Sequence, residues 1–148
     1  MKITIYAAHS DDLAYSIPLM IDSLVHKGYK VTAKHVFCIS DYAPNSRESK
    51  LQEITSVRKI EARKFCDAMG VLFQPMDYTD ACLRRDYAGK GVCHDKTLGR
   101  IDKQLIKRIL ETISPADLTM FPLAIGDHVD HRILKEVGTE YATTGHVA

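Results

Sequence analysis

Apolar residues form short β-prone runs in some segments of this chain and recur at helical spacing in others. The order of these segments predicts the strands and helices. Ile3 to Ala7 is a short run of apolar and β-prone residues, which is typical of a buried strand. Pro18 to Lys27 repeats apolar residues at helical spacing, and Gly28 follows where helices commonly end. Val31 to Ile39 is rich in β-branched and aromatic residues and predicts a second strand.

The middle of the chain predicts a loop, one long helix, a short strand and a second loop, in that order. Glu48 to Met69 is amphipathic at helical spacing, and Val71 to Gln74 then predicts a short third strand. Ser40 to Ser49 contains Asp, Pro, Asn and Ser and predicts a loop. Asp77 to Thr97 is polar and shows no period, and so long a loop within a compact domain is usually functional or mobile.

The last third returns to alternating helix and strand. Ile101 to Ile113 predicts a helix, and Leu118 to Leu123 predicts a fourth strand. Val129 to about Tyr141 predicts a final helix with Asp127 or His128 near its N-cap. This order predicts an α/β fold with a mainly parallel, Rossmann-like sheet and helices on both faces.

Composition narrows the classes of protein that fit. We expect residues 1–148 to form a single domain. Twenty Lys and Arg nearly balance nineteen Asp and Glu, which argues against a nucleic-acid-binding face. No apolar segment approaches the roughly 20 residues that span a bilayer, and the N-terminus has no signal-peptide layout, so we expect a cytoplasmic protein without a membrane partner. The four cysteines are scattered, which predicts free thiols.

Two clusters of histidine and aspartate each follow a predicted strand. The first is Ala8 to Asp12, and the second is Gly126 to Arg132, which follows the apolar run Leu118 to Ile125. In open α/β sheets, ligands bind at the carboxyl ends of the strands. Because two such ends can converge, the pattern predicts that both clusters contribute to one metal site. No Gly-x-Gly-x-x-Gly or Walker-type loop follows the first strand, which disfavours a nucleotide site.

The spacing within the clusters predicts the metal ligands. His9 and Asp12 are three residues apart, which places both side chains on one side of a turn or helix. His131 can supply a third ligand from the other cluster. Three nitrogen and oxygen ligands leave one zinc position for water, the pattern of a catalytic site. We therefore expect a hydrolase with one zinc per chain, or another divalent transition metal in its place.

The remaining residues of the two clusters suit the other steps of hydrolysis. Asp11 lies next to a ligand and could take the proton of the attacking water as general base. His128, as a cation, could stabilise the oxyanion of a tetrahedral intermediate. Asp130 could hold a histidine in the correct tautomer.

Three segments resemble one family of enzymes. His9-Ser10-Asp11-Asp12 resembles the Ala-His-Pro-Asp-Asp-Glu signature of the LmbE-like (PIG-L) zinc-dependent de-N-acetylases, and the second cluster resembles their His-Pro-Asp-His motif. Arg58 to Ala62 resembles their Arg-x-x-Glu helix. The resemblance covers about residues 2–135. It implies removal of the N-acetyl group from an N-acetylglucosamine-type conjugate, a small-molecule substrate.

The resemblance also implies a role for each matching residue. It implies zinc ligation by His9, Asp12 and His131, and catalysis by Asp11, His128 and Asp130. Arg58 falls where the family places a substrate-contacting arginine, and Asp86 falls where an aspartate reaches sugar hydroxyls. The other histidines show no partner pattern and are assigned no role: His26, His35, His94 and His146.

The chain departs from the family pattern in three ways. Ser10 replaces a proline and Leu13 replaces a glutamate. The chain also ends soon after its second motif, so we expect the C-terminal part of the usual family fold to be absent. A truncated domain, a compact variant and completion by a partner subunit are all consistent with this ending.

Two other functions are consistent with the sequence. The first is a non-catalytic or truncated family member that binds metal or sugar without turnover. The second is a magnesium-dependent phosphotransfer or phosphatase domain that uses Asp11 and Asp12, for which His9 and His131 are poor ligands because magnesium prefers oxygen. The sequence leaves both the substrate and homo-oligomerisation open.

Overall fold

The computed structural model describes residues 1–42, 47, 50–84, 87, 98–126 and 128–144. Strands and helices alternate along these residues. The strands are β1 (Lys2–Ala7), β2 (Lys30–His35), β3 (Leu72–Pro75) and β4 (Leu118–Met120). The helices are α1 (Asp12–Ser16), α2 (Pro18–His26), α3 (Leu51–Ala68), α4 (Arg100–Leu110) and α5 (Val129–Thr143).

All four strands pair in parallel, in the order β3-β2-β1-β4. β1 is paired on both sides, with Lys2 opposite Lys30 of β2 and Ile3 opposite Leu118 of β4. The carboxyl ends of β1 and β4 therefore lie side by side at one edge of the sheet. This confirms the predicted α/β fold with a parallel sheet.

Alternate residues of β1 enter two different hydrophobic clusters. Ile3, Ile5 and Ala7 pack in one cluster with residues of α2 and α3. Tyr6 and Ala8 pack in the other with residues of α4 and α5. Because successive strand side chains point to opposite faces, the two clusters are the two faces of the sheet. The prediction of helices on both faces is confirmed.

Glycines with positive φ end two of the helices as the sequence predicts. Gly28 follows α2 with φ +76°, and Gly70 follows α3 with φ +67°. A residue with a Cβ is strained in this left-handed region, so glycine is favoured there. Each glycine turns the chain directly into the next strand, β2 or β3.

The structure differs from the predicted element boundaries in several places. β2 ends at His35 instead of Ile39, and α3 begins at Leu51 instead of Glu48. β4 ends at Met120 instead of Leu123, because Pro122 has no N–H for the ladder and Ala124 has φ +57°. The short helix α1 was not predicted from the sequence.

Parts of both predicted loops lie outside the described residues. Of Ser40 to Ser49, residues 43–46 and 48–49 are outside, and of Asp77 to Thr97, residues 85–86 and 88–97 are outside. The described part of the second loop contains a 3-10 turn, Ala81–Leu83. Within the described part of the chain, no helix has the length and apolar character needed to cross a membrane.

Candidate active site

The first motif lies in the turn that joins β1 to α1. Asp11 is the N-cap of α1, and Asp12 is its first residue. The carboxylate of Asp12 accepts a hydrogen bond from the backbone N–H of His9 at 2.8 Å. This bond across three residues closes the turn and places the side chains of His9 and Asp12 together, as their spacing predicted.

The second motif begins α5 next to the end of β4. His128 is the N-cap of α5, as predicted, and its Nδ1 accepts a hydrogen bond from the backbone N–H of Asp130 at 3.3 Å. Three buried side chains, Val129, Ile133 and Val137, anchor the helix in the core. The start of α5 is therefore fixed against the sheet edge that carries the first motif.

The two motifs meet at His9, Asp12 and His131. Nε2 of His131 lies 3.3 Å from Oδ2 of Asp12, and Nδ1 of His9 lies 3.9 Å from Oδ1 of Asp12. The three residues can each offer one ligand atom within 4.8 Å of the other two. Two imidazole nitrogens and one carboxylate oxygen are a donor set that suits zinc. The residues present therefore fit a transition-metal ion.

The electrostatics of this cluster also favour a cation. Burial lowers the pKa of His9, but the neighbouring carboxylates of Asp12 and Asp130 outweigh this effect and raise the pKa to about 10. Burial raises the pKa of Asp12, but hydrogen bonds to His131 and His9 outweigh it and hold that pKa well below its usual range. The carboxylates around His9 thus stabilise positive charge at the position where the three ligand atoms converge.

Asp130 lies behind His9, where a partner for a ligand histidine is expected. Its Oδ2 is 3.1 Å from Nε2 of His9 and accepts the backbone N–H of Ala81 at 3.0 Å. Asp130 is fully buried. Because Nε2 of His9 is engaged by Asp130, the other ring nitrogen, Nδ1, is the one that faces Asp12. This is the arrangement by which a carboxylate fixes the tautomer of a metal-binding histidine.

The rings of His128 and His9 meet edge to face, with their centroids 4.8 Å apart. Because Nδ1 of His128 accepts a hydrogen bond from the backbone of Asp130, its ring proton lies on Nε2. Nε2 is therefore the ring nitrogen of His128 that can donate to a developing oxyanion.

Asp11 is paired with Arg58 of α3. Nη2 of Arg58 lies 2.9 Å from Oδ1 of Asp11, and Nη1 lies 3.6 Å from Glu61. The Asp11 side chain is 41% exposed, so water has access to it. Arg58 thus contacts the predicted general base directly, a relationship that the sequence did not reveal.

Both motifs open onto one cleft of about 1390 Å³. Its polar end is lined by residues of the two motifs together with Arg58 and Asp80. Part of its wall is apolar and exposed, including Tyr15, Leu123 and Ile125, which are each at least 75% exposed. The cleft can therefore admit a ligand with polar and apolar portions. Asp86, predicted to bind substrate, lies outside the described residues.

Sequence reasoning missed several polar residues around the site. Oδ1 of Asp80 lies 3.8 Å from Nε2 of His9, and its carboxylate accepts the hydroxyl of Ser40 at 2.8 Å. Burial raises the pKa of Asp80. His35, assigned no role, is buried with Nδ1 3.1 Å from the backbone carbonyl of His9. Asp80 lies in a segment without periodicity, so no sequence signal marked it.

A family model described as GlcNAc-PI de-N-acetylase (PIG-L) matches residues 4–142. The chain belongs to this family. The match covers both histidine–aspartate motifs and the helix that carries Arg58. No curated protein was found to match the sequence.

Solved structures of deacetylases share the fold of this PIG-L family member. A teicoplanin deacetylase in complex with bog has a TM-score of 0.81 and 17% identity over 99% of this chain and 64% of that chain. The zinc-inhibited form of teicoplanin deacetylase Orf2 has a TM-score of 0.78 and 16% identity over 99% of this chain and 65% of that chain. An N,N'-diacetylchitobiose deacetylase from Pyrococcus horikoshii has a TM-score of 0.67 and 19% identity over 96% of this chain and 49% of that chain. The chain thus spans less than two thirds of the length of each of these proteins.

The position of Leu13 explains how the chain accommodates its departure from the family motif. Leu13 is 3% exposed and packs in the cluster that contains Ile5, Ala7 and Ile21. Its side chain therefore points into the hydrophobic core. Ser10, by contrast, is partly exposed in the turn that precedes α1.

Proposed function

We propose that this chain is a zinc-dependent amide hydrolase that removes an N-acetyl group from an N-acetylglucosamine-type conjugate. The observation that carries the proposal is the convergence of His9, Asp12 and His131 from two motifs at the mouth of one cleft. The family match and the deacetylases of the same fold support this reaction class. The cytoplasm is the location proposed for the activity.

His9, Asp12 and His131 would hold the metal, and Asp130 would fix the tautomer of His9. A bound zinc ion supplies Lewis-acid chemistry to the amide carbonyl and to the attacking water. Magnesium is disfavoured as the resident ion because two of the three donors are imidazole nitrogens. The donor set therefore favours zinc over the magnesium-dependent phosphotransfer alternative.

The protein's own residues would move the protons. Asp11 accepts the proton of the attacking water and returns it to the departing amine nitrogen. His128 donates through Nε2–H to the carbonyl oxygen as negative charge develops on it. The water oxygen adds to the carbonyl carbon first, and the amide C–N bond then breaks as the nitrogen is protonated, which gives acetate and the free amine.

The cleft would bind the sugar conjugate through a polar end and an apolar wall. Arg58 lies beside Asp11 at the polar end and would contact the substrate there. Asp86 remains a predicted sugar contact. Leu123 and Ile125 present apolar surface at the rim, which suits a conjugate whose aglycone is partly apolar.

A panel assay tests the reaction directly. The zinc-loaded chain is incubated with N-acetylglucosamine, N,N'-diacetylchitobiose and N-acetylglucosaminyl-phosphatidylinositol, and free amine is detected with an amine-reactive fluorophore. We expect amine release from at least one conjugate, and no release by the Asp11→Asn variant. Amine release that is equal in Asp11→Asn and wild type would refute the proposed catalytic base.

Leu13 favours one alternative, a family member that binds metal or sugar without turnover. It places a buried aliphatic side chain where the family motif has a glutamate. On this alternative the chain binds zinc and sugar but releases no amine from any member of the panel. Equilibrium binding of the same three compounds, measured by calorimetry, separates binding without turnover from a lack of binding.

A further inference from the structure

A chain of buried charged side chains runs from His9 into the protein interior. Beyond Asp130, Nη1 of Arg84 lies 2.5 Å from Oδ1 of Asp130, and Nη2 of Arg84 lies 3.4 Å from Oδ1 of Asp102. Arg84 is 8% exposed, and both aspartates are fully buried. Arg84 contacts Asp130 and does not line the cleft.

Arg84 supplies the charged partner of one Asp130 oxygen. The other oxygen, Oδ2, is shared between Nε2 of His9 and the backbone N–H of Ala81. A buried carboxylate needs partners for both oxygens, and an arginine can hold one in fixed geometry. Without Arg84, Oδ1 would lose its charged partner and the carboxylate would be held through Oδ2 alone, so its orientation toward His9 would be less firmly fixed.

Arg84 is itself fixed on several sides. Its guanidinium stacks near the rings of Phe37 and Tyr87, with its Cζ 5.3 and 5.4 Å from their centroids, and donates to the backbone carbonyl of Thr79 at 3.1 Å. The guanidinium is thus confined to one orientation between the two aspartates. Its planar fork suits this position in a way that a lysine ammonium does not.

Asp102 anchors the far end of this chain. Its Oδ2 accepts the hydroxyl of Tyr87 at 2.7 Å and the backbone N–H of Gly99 at 2.8 Å. Asp102 therefore connects the start of α4 to Arg84, and both of its oxygens are engaged. The result is a continuous path of contacts from α4 to His9.

We infer that Arg84 is a positioning residue for the metal site: through Asp130 it holds His9 with Nδ1 facing Asp12, and Asp102 anchors Arg84. This inference rests on the proposed function, in which His9 is a metal ligand. Residues that orient a ligand in this way typically contribute about 10- to 100-fold to metal affinity. Arg84 and Asp102 lie outside both sequence motifs and were not among the predicted site residues.

Zinc affinity of the purified chain of residues 1–148 tests the inference without an activity assay. The dissociation constant is measured by competition with a chromophoric chelator for wild type, Arg84→Met, Arg84→Lys and Lys103→Met. Lys103 is exposed on α4 and serves as the matched control. We expect Arg84→Met to raise the zinc dissociation constant about 10- to 100-fold, Arg84→Lys to fall between it and wild type, and Lys103→Met to have no effect.

A double variant separates positioning from general stability. Arg84→Met removes the cationic partner of Asp102 and of Oδ1 of Asp130, whereas Arg84→Met with Asp102→Asn also removes one of the buried negative charges. We expect the double variant to regain unfolding stability relative to Arg84→Met while its zinc dissociation constant stays raised. If both the zinc affinity and the unfolding stability of the double variant returned to the wild-type values, Arg84 would have only a structural role.

The visible absorption of the cobalt-substituted protein gives a second readout of ligand geometry. We expect the d–d bands of Arg84→Lys to differ from those of wild type in position or intensity, and those of Lys103→Met to match wild type. If Arg84→Met fails to fold, Arg84→Lys and the double variant supply the comparison. Wild-type protein without zinc affinity would contradict the proposed function, whereas equal affinity in wild type and the folded Arg84 variants would overturn the inference alone.

Discussion

Nε2 of His9 lies 3.1 Å from Oδ2 of Asp130, a residue 121 positions further along the chain. This contact joins the turn after β1 to the first turn of α5. It also decides which nitrogen of His9 is available to a metal, because Nε2 is occupied and Nδ1 faces Asp12. The two sequence motifs therefore form one structural unit around His9.

Replacing Asp11 by Asn should slow turnover strongly without loss of metal. The amide cannot accept the proton of the attacking water, and general-base catalysis typically contributes about 10²- to 10⁴-fold. We expect kcat to fall by about that factor while zinc content stays at the wild-type value. Asp22→Asn, at an exposed position of α2, is the control and should leave both unchanged. Loss of zinc in Asp11→Asn would instead place Asp11 among the ligands.

Arg58→Met should weaken substrate binding more than it slows the chemical step. Loss of a hydrogen bond to a charged group typically costs about 1.5–3 kcal/mol, which corresponds to a rise in KM of roughly 10- to 100-fold. Lys64→Met, an exposed change on the same helix, should leave KM unchanged. Steady-state kinetics on the best substrate of the panel measure both parameters. A fall in kcat at unchanged KM would show that Arg58 acts through Asp11 and not on the substrate.

Leu13→Glu restores the family residue but should destabilise this chain. Leu13 is 3% exposed in the hydrophobic core, and a carboxylate at such a position costs several kcal/mol unless it is paired. Leu13→Met should cost less than about 1.5 kcal/mol because it keeps the volume and polarity. Urea unfolding of both variants measures the difference. A Leu13→Glu variant as stable as wild type would indicate a polar partner for this position.

Gly138→Ala should lower stability although alanine favours helices. A Cβ at Gly138 would lie 2.8 Å from Cγ of Phe121, whose ring stacks on Tyr6. Overpacking of this kind typically costs about 1–3 kcal/mol, against a gain of about 1 kcal/mol from helix propensity. We expect net destabilisation in urea unfolding, relieved by Phe121→Leu. Thr139→Ala, at the exposed neighbouring position, controls for propensity alone.

The fold was largely predictable because its signals are local and repeated. The apolar, β-prone run of β1 and the glycines at positions 28 and 70 each specify a nearby structure, and the order of elements then favours a parallel sheet. Boundaries were less accurate. β4 is shorter than predicted because the apolar run continues past Met120, while Pro122 and the positive φ of Ala124 take the chain out of the ladder.

The site was predictable only where its residues stand in compact motifs. His9, Asp12 and His131 could be brought together because each motif follows a strand of the same sheet. The sequence marks Arg84 and Asp102, the residues behind Asp130, less clearly. Arg84 lies in a segment without periodicity, so the sequence gives no sign of its position. Asp102 shares the buried face of α4 with Ile106 and Ile109, which follow it by four and seven residues. A charged residue at a position of this apolar pattern could have been recognised as a buried carboxylate.

The prediction of free thiols, which rested only on the scattered positions of the cysteines, can be checked for three of the four. Cys38, Cys66 and Cys82 are free thiols in the structure, as their scattered positions predicted, and Cys93 lies outside the described residues. Burial raises the pKa of Cys66 to about 11 and that of Cys82 to about 12. Neither thiol is therefore a reactive nucleophile at neutral pH.

Zinc content by elemental mass spectrometry is the most direct test of the central claim, that two distant motifs form one metal site. Wild type, His131→Ala and the control His26→Ala are compared after incubation with zinc and removal of excess metal. His26 is an exposed residue of α2, paired with Asp22. We expect about one zinc per chain in wild type and His26→Ala, and loss of zinc in folded His131→Ala. No zinc in folded wild type, or undiminished zinc in His131→Ala, would contradict the account.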